Sequence, residues 1–156
     1  MRTTDLLFLG FGLSLSNWTI TSSVAQHSGL SIPTDGSQAH TVKITMTNQG
    51  PFVGDVVVAA FLIPQNLPTQ KEIKLRQKLW GFERGSDVPV GSSVTFDFEV
   101  SASSLAIADL ATGDYVSAPG EYRLRFEDGA GGPDHEQIVP LRITGEQQVI
   151  EPFPVA

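Results

Sequence analysis

The carboxylates are the side chains with the most evident capacity for chemistry in this chain. Hydrolysis of a glycosidic bond requires two carboxyl groups on either side of the bond that is cleaved. The 156 residues include 17 aspartates and glutamates, so some of them will lie close together in any fold. Asp97, Glu99, Glu121 and Glu127 alternate with apolar neighbours. This alternation predicts solvated strand faces for these four side chains and no catalytic role.

The three histidines, His27, His40 and His135, offer little further chemistry. No two of them have the spacing of a helical metal-binding motif. The triplet Asp134-His135-Glu136 contains suitable ligand types, but it follows a glycine-rich loop, where such residues are common. The chain has no cysteine, which excludes disulfides and thiolate metal sites. We therefore predict neither a metal nor a cofactor.

The charge of the chain limits its possible partners. Its net charge is −7 and its pI is about 4.8, so it repels phosphate backbones and anionic lipid. No stretch approaches the length of apolar sequence that a transmembrane helix needs. We therefore predict that neither nucleic acid nor a membrane is a partner. A chain of this length can bury a core of its own as one domain.

Alternating apolar residues predict the strands that would position these groups. Three segments place apolar side chains on one face and polar ones on the other, namely residues 41–47, 94–100 and 122–126. Residues 56–63 are continuously apolar, which predicts a central strand covered on both faces. Residues 139–143 predict a last strand. Pro140 within it predicts an edge position, because proline cannot donate to a sheet ladder.

The segments between these strands are less regular. Residues 79–84 predict a further strand, and Ser86-Asp87 predicts a turn after it. Residues 71–78 fit either a strand continuation or a short helix. Residues 101–109 have room for no more than one or two helical turns. Tyr122 follows the turn pair Pro119-Gly120 and is a candidate tyrosine corner, in which the hydroxyl bonds to nearby backbone.

About seven short strands with no long helix between them predict the fold class. We expect an all-β protein with an immunoglobulin or fibronectin type III-like antiparallel β-sandwich. The domain is predicted to span residues 41–145. Residues 24–40 are predicted to be a linker or loop and residues 146–156 a tail, while residues 1–23 form a separate segment.

Six short motifs, in this order, resemble the C-terminal fibronectin type III-like domain of glycoside hydrolase family 3, the family of β-glucosidases and β-xylosidases. They are residues 42–50, Gly54-Asp55-Val56-Val57, Leu79-Trp80-Gly81-Phe82-Glu83-Arg84, Val90-Gly91-Ser92, the pair Leu105 and Asp109, and Pro119-Gly120-Glu121-Tyr122. The spacing of Leu105 and Asp109, with Gly113 after them, is closer to the β-xylosidase branch than to the β-glucosidases.

This resemblance implies a non-catalytic accessory domain, because the catalytic carboxylates of the family lie in preceding domains. The chain would not be an enzyme by itself. It would pack against and stabilise the catalytic domains of a β-xylosidase-like enzyme that acts on xylan or other plant polysaccharides. The alternative is a free-standing secreted β-sandwich that binds carbohydrate or protein. The glycan, the oligomeric state and the distinction between fragment and independent protein stay open.

Aromatic and apolar side chains are the candidates for contacts with such partners. Trp18, Trp80, Phe61 and Phe82 could stack on sugar rings, but the regular strands favour packing within the core or between domains. The candidate interdomain contacts are Phe11, Leu13, Trp18 and Trp80.

Residues 1–23 support two interpretations. Gly10-Phe11-Gly12-Leu13-Ser14 resembles the segment that leads into the fibronectin-like domain in family 3 hydrolases. The apolar residues 6–13, with Ser23-Val24-Ala25 as a cleavage site, also resemble a signal peptide. If that signal works, the protein is extracellular. Only then is the sequon Asn17-Trp18-Thr19 meaningful as a glycosylation site at Asn17.

Overall fold

The computed structural model of the chain describes residues 14–24, 28–67 and 75–154. Within these ranges the protein is built from strands and one short 3-10 turn, Pro133–His135, without an α-helix. The strands are β1 Asn17–Ser22, β2 Leu30–Pro33, β3 His40–Gly50, β4 Gly54–Asn66, β5 Lys78–Val88, β6 Ser93–Val100, β7 Ile107–Ala108, β8 Tyr115–Ser117, β9 Gly120–Glu127, β10 Glu136–Thr144 and β11 Gln148–Glu151. The predicted all-β class is confirmed, with more strands than the seven expected.

The strands form a sandwich of two sheets and a small third sheet. One sheet has three strands in the order β1-β3-β6, and the other has five in the order β2-β10-β9-β4-β5. Their pairings are antiparallel except for β2, which runs parallel to β10. Three short strands in the order β11-β8-β7 make the third sheet. Among the described residues, no helix is long and apolar enough to cross a membrane.

The core lies between the two larger sheets. Val42, Ile44 and Met46 of β3 are fully buried and alternate with exposed or half-buried polar residues, as predicted. Phe98 of β6 and Phe126 of β9 meet across the core with ring centroids 5.2 Å apart. Burial of such apolar side chains from both sheets is the main favourable contribution to the stability of the sandwich.

Strand β4 has strand partners on both sides but is not covered on both faces. Its inward residues, such as Val58 and Leu62, are fully buried, whereas Val57 on the opposite face is 45% exposed. The prediction that both faces of residues 56–63 are covered is therefore wrong. The continuous apolar sequence reflects a core on one face and an exposed apolar surface on the other.

The structure differs from the sequence prediction in two segments, the predicted linker before β3 and the strand that contains Pro140. Residues 24–40, for which we predict a linker or loop, include strand β2, and Ile32 within it is fully buried. Strand β2 pairs with β10, so the strand that holds Pro140 has neighbours on both sides and is not an edge strand. The pairing with β2 begins at Leu141. Pro140 therefore lies outside this pairing, and its lack of a backbone N–H costs no hydrogen bond to β2.

Turn-forming residues near residue 87 bend a strand without ending it. Strand β5 continues to Val88, and Asp87 adopts a positive φ of 54°. The register against β4 shifts here, because Gly54 lies opposite Val88 while Val56 lies opposite Gly85. The Ser86-Asp87 turn signal therefore corresponds to a β-bulge. Residues 101–109 contain one helical turn, closed by a bond from Leu105 N–H to Ser101 O of 3.2 Å, before β7 begins.

Tyr122 forms the predicted tyrosine corner. Its ring is buried, and its hydroxyl donates a hydrogen bond of 2.8 Å to the backbone oxygen of Ala118. Burial raises the pKa of the Tyr122 phenol, so the hydroxyl remains a donor at all physiological pH values. This bond ties the start of β9 to the chain that leads into it.

Replacing Tyr122 with phenylalanine is expected to lower the free energy of unfolding by about 1–3 kcal/mol, because the buried oxygen of Ala118 loses its donor. Urea denaturation followed by circular dichroism measures the change. Tyr115→Phe is the matched control, since Tyr115 is half exposed, and it should change stability by no more than about 0.5 kcal/mol. Equal effects of the two substitutions would show that the corner bond does not stabilise the fold.

Candidate interaction surfaces

Three large apolar side chains are exposed at the end of the sandwich where β1 begins. Leu15 is 80% exposed, Phe52 is 57% exposed and Val53 is 59% exposed. Leu15 precedes β1, and the other two lie in the turn between β3 and β4. The hydroxyl of Ser16 joins these segments, because it donates to Phe52 O at 2.7 Å and accepts from Phe52 N–H at 3.1 Å. We call Leu15, Phe52 and Val53 the β1-end patch.

Asn48 fixes the turn that carries two residues of this patch. Its side chain is fully buried, and its amide donates to Phe52 O at 2.8 Å and to Val88 O at 2.9 Å. Its side-chain oxygen accepts from Gly50 N–H at 2.8 Å. Gly50 has a φ of 93°, a conformation that favours glycine. The turn that presents Phe52 and Val53 is therefore held by a satisfied buried polar group.

The four predicted interdomain contacts have different positions. Phe11 and Leu13 lie outside the described residues. Trp18 is only 5% exposed and belongs to the core, with its indole N–H donating to Ser14 Oγ at 3.2 Å. Trp80 is half-buried and meets Phe98 and Phe126 edge-on, with ring centroids 5.8 Å and 6.1 Å away. Both tryptophans thus pack mainly within this domain, while the sequence reasoning missed the exposed residues Leu15, Phe52 and Val53.

A second apolar surface lies on β4 and β5, at one edge of the five-stranded sheet. On β4 the outward residues are Val57, Ala59 and Phe61, and on β5 they are Leu79 and Phe82. Leu79 is 52% exposed and Phe82 is 68% exposed. The guanidinium of Arg125 lies 5.1 Å from the centroid of the Phe61 ring. We call this surface, formed by Val57, Ala59, Phe61, Leu79 and Phe82, the outer apolar face.

The outward face of the three-stranded sheet is polar by contrast. Hydroxyl groups pair across its strands, with Thr45 and Thr95 oxygens 2.8 Å apart and Thr47 and Ser93 oxygens 2.7 Å apart. Lys43 and Asp97 form an ion pair of 2.9 Å on the same face. The two outer surfaces of the sandwich therefore differ in kind, and only the five-stranded sheet presents an apolar one within the described residues.

Ion pairs flank the outer apolar face. Arg84 pairs with Asp55, and Asp55 also accepts from Asp87 N–H at 2.9 Å. The bond from Arg84 lowers the pKa of Asp55 and raises that of Arg84. On the other side, Arg125 Nε lies 3.1 Å from a carboxylate oxygen of Glu127. Burial raises the pKa of Glu127, and the nearby Arg125 charge opposes that rise.

The four carboxylates considered for catalysis lie in two pairs on opposite outer surfaces of the sandwich. Asp97 and Glu99 lie on β6 of the three-stranded sheet, and Glu121 and Glu127 lie on β9 of the five-stranded sheet. These strands present the two pairs on opposite outer surfaces of the sandwich, because each pair alternates with buried core residues. A glycosidase needs its two carboxyl groups on either side of one bond. No carboxylate of the β6 pair can be combined in this way with a carboxylate of the β9 pair.

His135 is engaged in closing a loop. Its ring Nδ1 lies 2.9 Å from a carboxylate oxygen of Asp128, whose other oxygen accepts from Ala130 N–H at 2.9 Å. These bonds hold the predicted glycine-rich hairpin loop between β9 and β10. In the part of the chain that the structure describes, no three histidine, aspartate or glutamate side chains are placed to hold a metal ion.

The motif residues Leu105 and Asp109 have structural roles. Leu105 is buried in the core. Asp109 accepts from Ala111 N–H at 2.8 Å and from the Gln147 side chain at 3.2 Å, so it joins the loop after β7 to the chain before β11. The next carboxylate, Asp114, accepts from Phe153 N–H at 2.7 Å, and this bond lowers the pKa of Asp114.

The protein is therefore a β-sandwich that exposes two apolar surfaces. Residues 65–129 match the family model of the fibronectin type III-like domain. These residues therefore resemble such a domain, and the predicted resemblance is confirmed. No curated protein matches the chain by sequence.

Three solved structures with a similar fold are glycosidases. A GH3 exo-β-xylosidase (XlnD), in complex with a xylobiose aziridine activity-based probe, is 20% identical, with a TM-score of 0.72 over 94% of this chain and 19% of that chain. A β-glucosidase from Listeria innocua is 19% identical, with a TM-score of 0.68 over 88% of this chain and 17% of that chain. β-Glucosidase 3B from Thermotoga neapolitana is 23% identical, with a TM-score of 0.66 over 92% of this chain and 18% of that chain. The chain thus spans about a fifth of these enzymes, and at these identities the likeness concerns the fold.

Proposed function

We propose that the chain is a non-catalytic accessory domain of a family 3 glycoside hydrolase, and that it packs against and stabilises the catalytic domains. The observation that carries this proposal is the β1-end patch. Leu15, Phe52 and Val53 are exposed at one end of a fold that resembles part of such enzymes, where Ser16 bonds to Phe52. Exposed apolar clusters of this kind mark interaction sites.

The patch is suited to binding a large, preformed partner. Phe52 and Val53 are held by the bonds of Asn48 and Ser16, so little conformational entropy would be lost when they bind. Leu15 of the patch also lies two residues before β1 begins at Asn17. This supports the interpretation of residues 1–23 as the junction with a preceding domain, since that domain would approach the sandwich at this end.

The xylosidase branch is the finer part of the proposal. The XlnD enzyme in the comparison carries a probe derived from xylobiose, and the spacing of Leu105, Asp109 and Gly113 agrees with that branch. We infer a β-xylosidase-like partner that acts on xylan or related plant polysaccharides. The alternative of a free-standing sugar-binding sandwich would be favoured by a row of exposed aromatic side chains. In the described ranges the exposed aromatic side chains are Phe52, Phe82, Tyr115 and Phe153. Phe52 lies in the β3–β4 turn and Phe82 in β5, while Phe153 lies near Tyr115 through its bond to Asp114, so the four do not form one row.

A domain exchange tests the accessory role. The matching fifth of XlnD is replaced by this chain, and the melting temperature and xyloside hydrolysis are compared with those of XlnD truncated at the same place. The exchanged enzyme is expected to melt at a higher temperature and to retain more activity than the truncated one. Serine substitutions at Leu15, Phe52 and Val53 should remove that gain.

Matched controls separate docking from a general effect of surface change. Leu110 and Val149 are also exposed apolar residues but lie outside the β1-end patch, so their serine variants should preserve the gain. If the exchanged enzyme is no more stable than the truncated one, or if the patch variants behave like these controls, docking through the β1-end patch is refuted.

A further inference from the structure

A polar groove lies along β9 and β10, away from the β5 edge that carries the outer apolar face. It consists of two neighbouring cavities with volumes of about 430 Å³ and 510 Å³. Arg142 and Glu121 line both cavities, and Arg123 lines the smaller one. The groove includes Gln65 and Asn66 at the end of β4, whereas two residues of the β1-end patch lie just before β4 begins. The groove is thus separate from the proposed docking surface.

Arg123 and Arg142 are the two cations of this groove. Arg142 lies directly opposite Glu121 in the pairing of β10 with β9, and Arg123 lies two residues further along β9. The two arginines are therefore diagonal neighbours on one face of the sheet, with a spacing of about 7–8 Å. Two guanidinium groups on flexible stems can reach a single anion from such positions. Both residues are exposed, so a ligand has access to them.

Neither of these arginines forms an ion pair with another residue that the structure describes. Acidic residues outnumber lysines and arginines by 17 to 10 in this chain, and the other two arginines of the sheet, Arg84 and Arg125, each pair with a carboxylate. The charged residues that line the groove are two arginines and Glu121. Charges beyond about 8 Å are largely screened at physiological ionic strength, so a small ligand meets this local positive excess and not the net charge of the chain.

The uncharged groups around the arginines suit a hydroxylated ligand. Gln65, Asn66 and Thr144 contribute side-chain amides and a hydroxyl to the lining, and such groups both donate and accept hydrogen bonds. Half-buried Leu30 and Pro140 add apolar surface in the smaller cavity. A sugar ring presents hydroxyl groups at its edge and C–H groups on its faces, so it can use both kinds of surface.

From this arrangement we propose that the groove binds an acidic sugar, with the sugar carboxylate between Arg123 and Arg142. Guanidinium groups bind carboxylates through paired, charge-assisted hydrogen bonds. Glu121 accepts hydrogen bonds from the sugar hydroxyls, because an ionised carboxylate acts only as an acceptor. Recognition by charge and hydrogen bonds requires no row of stacked aromatic side chains.

Titration of the full chain with glucuronate, followed by amide chemical shifts at neutral pH and constant ionic strength, tests the proposal. A dissociation constant on the order of 1 mM is expected, with the largest shifts in β9, β10 and the end of β4. Glucose has a neutral hydroxymethyl group in place of the carboxylate and should bind at least about tenfold more weakly, which corresponds to about 1.4 kcal/mol. Acetate and inorganic phosphate carry charge without sugar hydroxyls, and each should also bind at least about tenfold more weakly.

Substitutions test the role of the two arginines. Arg123→Gln and Arg142→Gln should each weaken glucuronate binding at least about tenfold. Lys43→Gln is the matched control, because it removes one positive charge from the outer face of the three-stranded sheet and should leave the dissociation constant unchanged. Circular dichroism establishes that each variant is folded.

The absence of saturable shifts with glucuronate would overturn the proposal. So would equal affinity for glucose, for acetate or for phosphate, since each of these lacks half of the proposed recognition. Binding that survives both arginine substitutions, or shifts that centre on another surface, would also overturn it. The domain exchange depends on the β1-end patch and not on this groove, so each of the two proposals can fail while the other stands.

Discussion

Replacing Asn48 with alanine is expected to lower the free energy of unfolding by about 3–4 kcal/mol. The side chain is fully buried and bonds to three backbone groups, namely Phe52 O, Val88 O and Gly50 N–H. Val88 O and Gly50 N–H would lose this partner, whereas Phe52 O keeps the bond from Ser16 Oγ. Each buried backbone group left without a partner costs about 1–3 kcal/mol, and water entering the space left by the amide recovers part of that cost. The loss is a large share of the 5–15 kcal/mol typical of a whole domain.

Urea denaturation of the variant and the unmodified chain measures this effect. Gln49→Ala is the control, because Gln49 is the next residue and its exposed side chain bonds only to Thr19 Oγ1 at 3.1 Å in the described structure. It should change stability by no more than about 0.5 kcal/mol. If Asn48→Ala lowered the free energy of unfolding by a similarly small amount, the bonds of Asn48 would not stabilise the β3–β4 turn.

Replacing Trp18 with alanine is expected to cost about 3–5 kcal/mol, the range for removing a large aromatic side chain from a core. Trp18 is 5% exposed and packs with the core residues of both large sheets. Trp18→Phe keeps an aromatic ring and loses the bond to Ser14 Oγ, so it should cost less than the alanine variant.

Thermal and urea unfolding of both Trp18 variants provide the measurement, with Val149→Ala as a control for loss of an exposed apolar side chain. If Trp18 were mainly an interdomain contact, as the sequence also allowed, Trp18→Ala would leave the stability of the isolated chain nearly unchanged. That outcome would contradict the buried position of the side chain.

Much of the fold follows from local patterns in the sequence. The alternation of Val42, Ile44 and Met46 predicts an inward strand face because side chains of a strand alternate between its two faces. Tyr122 is predictable as a corner because its partner Ala118 lies only four residues before it. These features depend on short-range geometry, which neighbouring residues determine.

Features that depend on distant pairing could not be predicted in this way. Strand β2 is four residues long and contains Pro33, so its own residues signal a loop, and only its pairing with β10 makes it a strand. The open face of β4 is another example. A continuously apolar segment does not indicate which of its two faces is buried. The outward position of Val57 and Phe61 depends on which face of β4 the three-stranded sheet covers.

The exposed apolar surfaces could not be predicted from local sequence patterns either. Leu15, Phe52 and Val53 lie outside regular strands, where no periodicity distinguishes an inward from an outward side chain. Trp18 and Trp80 were selected by residue type, but type alone does not reveal on which side of a strand a ring lies. Residues of the family-like motifs form contacts within this domain. Arg84 binds Asp55, and Asp109 joins two loops.

Our central proposal is that this β-sandwich supports chemistry carried out elsewhere, and it predicts no glycosidase activity for the chain by itself. Incubation of the purified chain with nitrophenyl xyloside and nitrophenyl glucoside tests that claim most directly. We expect no release of nitrophenol above that of a protein-free blank. Sustained hydrolysis that disappears when one carboxylate is replaced, as in Glu127→Gln or Asp97→Asn, would contradict the account.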